Sequence, residues 1–132
     1  MLKQIVNAAM VLSVCLFVGC SKLLPECKSK EDMMNGCIAK EYYESGQLKY
    51  EISFKDGKRN GVWKEYYKSG QLNYEIPFKD DKENGVEKWY SENGQLESET
   101  SYKDGKKDGV KKWYYENGQL EAEILYENDI LK

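Results

Sequence analysis

The reactive side chains of this chain are few, and what is missing excludes most chemistry. Its 132 residues include no histidine, which removes Ser-His-Asp and Cys-His nucleophile pairs, HExxH zinc sites and imidazole general bases together. Neither a GxxxxGK[ST] phosphate loop nor a GxGxxG turn occurs. Asp80-Asp-Lys-Glu-Asn-Gly85 gathers oxygen ligands, but Lys82 stands where a calcium loop needs a ligand and Ser91 where it needs a closing Glu. It reads as a turn. Cys27 and Cys37 lack a histidine to complete a metal site. They either close a small disulfide loop or remain two free thiols. The net charge of −3 gives no electrostatic reason to expect nucleic acid. No catalytic residue, metal ligand or cofactor is expected, and the chain reads as non-enzymatic.

Aromatic surface is what the sequence has in quantity. It carries 3 Trp, 11 Tyr and 3 Phe, and only Phe17 lies before residue 42. Charged residues at 33 % and a mean hydropathy of −0.80 lean toward disorder, so the aromatics must supply the packing. Their positions are periodic. Gly46, Gly70, Gly94 and Gly118 follow one another at 24 residues, as do Gly61, Gly85 and Gly109. The units are CIAKEYYESGQLKYEISFKDGKRN (37–60), GVWKEYYKSGQLNYEIPFKDDKEN (61–84), GVEKWYSENGQLESETSYKDGKKD (85–108) and GVKKWYYENGQLEAEILYENDILK (109–132). Four copies at one period indicate a repeat array.

Each unit reads as a β-hairpin. Leu48, Tyr50, Ile52 and Phe54 alternate with polar residues, as do Leu72, Tyr74, Ile76 and Phe78, so the second half is a strand. The first half, Val62-Trp-Lys-Glu-Tyr-Tyr67 and its equivalents, is rich in β-formers. Ser-Gly or Asn-Gly joins the halves, and Asp56-Gly57 and Asp104-Gly105 join units. Treating the tips as two-residue turns sets the register. Lys40 then faces Glu51, Lys64 faces Glu75, Lys88 faces Glu99 and Lys112 faces Glu123, a ladder of unlike charges on a solvated face. On the other face, large meets small: Trp89 with Ser98, Trp113 with Ala122, Glu41 with Tyr50, Glu65 with Tyr74. The expected fold is all-β, an elongated antiparallel meander of about eight strands. Glu127-Asn-Asp-Ile-Leu-Lys132 lacks the terminal Gly-Lys-x-x-Gly turn and is expected to cap it.

The N-terminus reads as a targeting signal (residues 1–19). Lys3 is a short basic region, and residues 5–18 are apolar except for Asn7 and Ser13, which suits a secretory signal better than a permanent span. Phe17-Val18-Gly19-Cys20 resembles the bacterial lipobox, with Phe17 where Leu is usual. The resemblance implies cleavage before Cys20 and acylation of that residue, with several acyl chains anchoring it stably. The alternative is an ordinary signal peptide with an incidental cysteine. Residues 20–36 would be a lipidated tether and 37–132 the repeat domain, facing the periplasm or exterior of a bacterial cell envelope.

Gly-Val-Trp-Lys-Glu-Tyr-Tyr, then Ser-Gly-Gln-Leu, then Phe-Lys-Asp-Gly-Lys-x-Asn-Gly resembles the bacterial variant of the MORN repeat found in the YwqK-type antitoxin family, over residues 37–132. That likeness implies one functional reading, an antitoxin-like neutraliser of a partner toxin. The leader and the aromatics favour another, a lipid-anchored scaffold that binds a protein, a surface polymer or a second copy of itself. Trp63, Tyr67, Leu72, Tyr74, Trp89, Trp113, Tyr115 and Leu120 are expected to form one stripe. Within it Tyr67, Trp89, Trp113 and Tyr115 are expected to be contacts and the leucines scaffold.

Overall fold

The computed structural model describes residues 23–132; the signal expected over residues 1–19 and the acylation expected at Cys20 lie outside the described residues. A short helix α1 (Lys30–Asn35) precedes strands β1 (Cys37–Tyr42), β2 (Leu48–Lys55), β3 (Lys58–Arg59), β4 (Gly61–Tyr66), β5 (Leu72–Lys79) and β6 (Lys82–Glu83). There follow β7 (Gly85–Tyr90), β8 (Leu96–Lys103), β9 (Lys106–Tyr114), β10 (Leu120–Glu127) and β11 (Ile130–Leu131). All eleven strands form one antiparallel sheet that runs in chain order, with β3 and β6 set beside β2 and β5. The elongated meander of four hairpin repeats is therefore the fold. The strand count exceeds eight because the return after each turn pairs briefly with its own strand, as β3, β6 and β11; after the third unit's turn the return fuses into β9.

The hairpin register agrees with the sequence reading, although the tips are built differently. Lys40 faces Glu51, Lys64 faces Glu75, Lys88 faces Glu99 and Lys112 faces Glu123. At each tip, however, the turn spans three residues. Gly46 N–H donates to the Tyr43 carbonyl at 2.8 Å and Tyr43 N–H to the Gln47 carbonyl at 2.8 Å, with Gly46 left-handed at φ 85°. A bulge beyond Tyr42 then returns the ladder to the same register. Between units, two-residue turns have both residues left-handed: Asp56 and Gly57 at φ 52° and 74°, Asp80 and Asp81 at 51° and 69°. Asn128 and Asp129 repeat this at 50° and 68°, because Asn and Asp tolerate that region. The last unit thus makes the turn it was expected to lack, and β11 follows it.

Successive inter-unit turns stack on one another. Asp81 N–H donates to the Arg59 carbonyl at 3.0 Å, Gly105 N–H to Glu83 at 2.9 Å and Asp129 N–H to Lys107 at 2.9 Å. At the first turn the acceptors come from α1: Asp56 and Gly57 donate to the carbonyls of Met34 and Met33, at 3.2 and 3.0 Å. The helix stands where a preceding repeat would. Ser29 and Asp32 close its capping box, and the Cys27–Cys37 disulfide, with Cα atoms 5.1 Å apart, pins it to β1. Ile38 N–H also bonds the Pro25 carbonyl at 2.8 Å. The tether expected over 20–36 is therefore folded from Pro25 onward and acts as an end cap.

The core lies on one face only. Ile52, Ile76 and Phe78 are buried, with Ala39, Phe54, Trp63, Tyr74 and Tyr102 packed against them. Thr100 takes the isoleucine position in the third unit and is buried as well. Val62, Val86 and Leu125, on the opposite face, are exposed. A single sheet buries one face only by curling over it. Gly85 allows a close approach of rigid neighbours: at φ 141°, a Cβ there would sit 2.8 Å from Pro77 Cγ.

Candidate functional site

The two faces of the sheet carry different chemistry. On the outer face Glu51, Glu75 and Glu99 are each shared between units. Each has a lysine as its Cα partner within the hairpin, but the contact it makes is with the following unit. Lys64 Nζ lies 3.9 Å from Glu51, Lys88 3.4 Å from Glu75 and Lys112 3.2 Å from Glu99. The expected charge ladder is present, then, and its closed contacts join repeats. A phenol completes each: Tyr66 donates to Glu51 at 3.0 Å, Tyr90 to Glu75 at 3.0 Å and Tyr114 to Glu99 at 2.8 Å. Burial and the carboxylate together push Tyr66 and Tyr90 up to about 12. Burial pushes Glu99 up, but the bonds from Tyr114 and Lys112 outweigh it and hold its carboxyl below the ordinary range.

On the inner face the strand pairings line up one continuous row. Glu41 faces Tyr50, which faces Glu65; Tyr74 lies between Glu65 and Trp89; Ser98 lies between Trp89 and Trp113, which ends against Ala122. Period-two alternation puts these residues on one side, and pairing across units sets them in line. The rings meet: Tyr50 and Trp63 centroids are 5.5 Å apart, Trp63 and Phe78 6.3 Å, Tyr74 and Trp89 4.4 Å. A groove of about 290 Å³ opens among Arg59, Trp63, Glu65, Tyr74, Ile76, Phe78 and Trp89. Ile76 is its floor. Trp63 Nε1–H donates to Glu65 Oε1 at 3.1 Å, and the Arg59 guanidinium lies 4.1 Å over the Phe78 ring. Burial, with Glu87 beside it, pushes the Tyr74 phenol well above its ordinary value, so it serves here as a neutral hydrogen-bonding group.

The single stripe expected from the sequence is divided by the structure. Trp89 and Trp113 share the inner row, Trp89 being 41 % exposed over the groove. Tyr67 and Tyr115 are at hairpin tips instead. Tyr67 donates to the Tyr90 carbonyl at 2.7 Å, and Tyr115 is half exposed. Leu72 and Leu120 pair opposite Tyr66 and Tyr114, tyrosines of the outer face. The three-residue tip and its bulge shift these residues off the alternation that two-residue turns would have continued. Glu65 and Arg59 were missed as groove residues. Glu65 was recoverable, since it lies two residues from Trp63; Arg59 reaches the groove through a stacked turn that no local period reveals. The Asp80–Gly85 segment is an inter-unit turn, in which the Asp81 carboxylate accepts from Arg59 N–H at 2.9 Å and Arg59 Nε–H at 3.1 Å.

A family model described as the MORN repeat variant matches residues 38–56, 59–80, 83–104 and 107–128. No curated protein and no solved structure matches the chain.

Proposed function

The chain belongs to the MORN repeat variant family, and we propose that it is a non-catalytic scaffold, lipid-anchored at Cys20 in a bacterial envelope. Its inner aromatic row would hold a protein partner or surface polymer there. The observation that carries this reading is the groove around Trp63, Tyr74 and Trp89, an aromatic surface with Trp89 exposed above it. Rings that keep a polar tip while offering an apolar face suit a partly wet interface. The Cys27–Cys37 disulfide supports an oxidising compartment outside the cytoplasm.

Two substitutions in the anchored protein test this. Trp89→Ala with Trp113→Ala should abolish co-purification of envelope material while leaving the thermal transition cooperative. Cys20→Ser should move the protein from the membrane to the soluble fraction. Undiminished co-purification by the double variant overturns the binding face, and continued membrane association of Cys20→Ser overturns the anchor.

A further inference from the structure

The hairpin tips carry a ladder of tyrosines with one rung absent. Tyr43 of the first unit donates its hydroxyl to the Tyr66 carbonyl of the second, 2.7 Å away. Tyr67 donates to the Tyr90 carbonyl of the third at the same 2.7 Å. The equivalent residue in the third unit is Ser91, and the acceptor a tyrosine there would reach is the Tyr114 carbonyl. Serine is too short to cross. Its Oγ turns back into its own tip, 2.5 Å from Asn93 Oδ1 and 3.2 Å from the Gln95 carbonyl. Between the third and fourth tips lies a cleft of about 290 Å³, bordered by Ser91, Leu96, Tyr114 and Tyr115. Between the first two tips Tyr43 spans the gap through its bond to the Tyr66 carbonyl, and a hollow of about 500 Å³ remains beside it, bordered by Glu44, Ser45 and Lys68.

We propose that this cleft seats the phenol ring of a tyrosine side chain from a partner protein, whose hydroxyl donates to the Tyr114 carbonyl. The site is distinct from the inner row. Two rings of this chain already occupy equivalent seats and make the same bond, which defines the occupant's shape and its single donor. Leu96 and the rings of Tyr114 and Tyr115 supply the apolar walls. Glu97, Glu116 and Glu121 also line the cleft, so an anionic group brought there meets like charge. The cleft therefore selects tyrosine over phosphotyrosine.

The test is an NMR titration of the intact protein with p-cresol, toluene, a short tyrosine peptide and its phosphorylated form. Saturable shifts at Ser91, Leu96 and Tyr114 are expected with p-cresol and the tyrosine peptide. Toluene, which cannot make the hydrogen bond, should bind about fivefold more weakly, and the phosphopeptide should give no shift. Ser91→Tyr should fill the seat from within the chain, raise Tm and abolish the p-cresol shifts. Ser91→Ala should keep them, since the serine hydroxyl faces away. The proposal is overturned if p-cresol leaves the cleft resonances unmoved, if Ser91→Tyr binds it as the parent does, or if phosphopeptide and peptide bind alike.

Discussion

Replacing Ile76 by Ala separates a curled sheet with its own core from a flat ribbon. Ile76 is 3 % exposed and sits among Ile52, Phe78, Trp63 and Tyr74. The change removes three carbons, about 2.4 kcal/mol at roughly 0.8 kcal/mol per buried carbon. A cavity contribution is added, small because a one-layer core relaxes readily, for a total of about 3 kcal/mol. Leu125→Ala removes the same carbons from the outer face, where the side chain is half exposed, and should cost about 1 kcal/mol. At about 4 °C per kcal/mol for a domain of this size, Tm should fall by about 12 °C and about 4 °C respectively. Urea denaturation followed by tryptophan fluorescence gives the free energies directly. Equal losses, or a smaller loss at Ile76, would refute the one-sided core.

Removing the disulfide with Cys27→Ser and Cys37→Ser should cost about 2–3 kcal/mol, the entropy of a loop of about ten residues. Amide exchange should quicken at Asp56 and Gly57, whose acceptors are on α1, while Asp129 stays protected; uniform quickening would contradict the end-cap role. Gly85→Ala, at φ 141° with Pro77 Cγ 2.8 Å from the new carbon, should cost about 2–3 kcal/mol. Gly46→Ala, at φ 85° in open space, should cost about 1 kcal/mol, and the reverse order in denaturant would contradict the close approach. Burial first, then neighbouring carboxylates, push Tyr66, Tyr90 and Tyr102 up to about 12. Their folded values lie above the unfolded value near 10, so their contribution to stability is complete below pH of about 10 and is lost as pH rises through about 12. Phenolate absorbance should therefore rise in two waves, the second with loss of β-sheet circular dichroism; one wave near 10 on an intact fold would contradict the burial.

Much of the fold was legible because the repeat states each local rule four times. Trp89 with Ser98 and Glu65 with Tyr74 are cross-strand size matches, and Lys88 with Glu99 is a charge match. These independent signals agree on one register. That register came out right through a wrong turn: a three-residue tip and a bulge together add what a two-residue turn would have given. The same bulge explains why Tyr67 and Tyr115 were misplaced onto the inner row. The helical cap was missed because six residues show no period, although Ser29-Lys-Glu-Asp32 is a capping box that could have been read. Sequence alternation assigns residues to a face. How far that face is covered depends on the coiling of the whole sheet and on Arg59 reaching in from a stacked turn, which are tertiary effects.

The inner row, rather than the charged ladder of the outer face, is proposed to hold the envelope partner, at a site separate from the tip cleft. Light-activated cross-linking residues placed in the full-length protein, at 89 and 113 on the inner face and at 62 and 86 on the outer, test it in intact cells. The same adduct is expected from positions 89 and 113 and none from 62 and 86. Adducts from 62 and 86 alone, or equally from both faces, would contradict it.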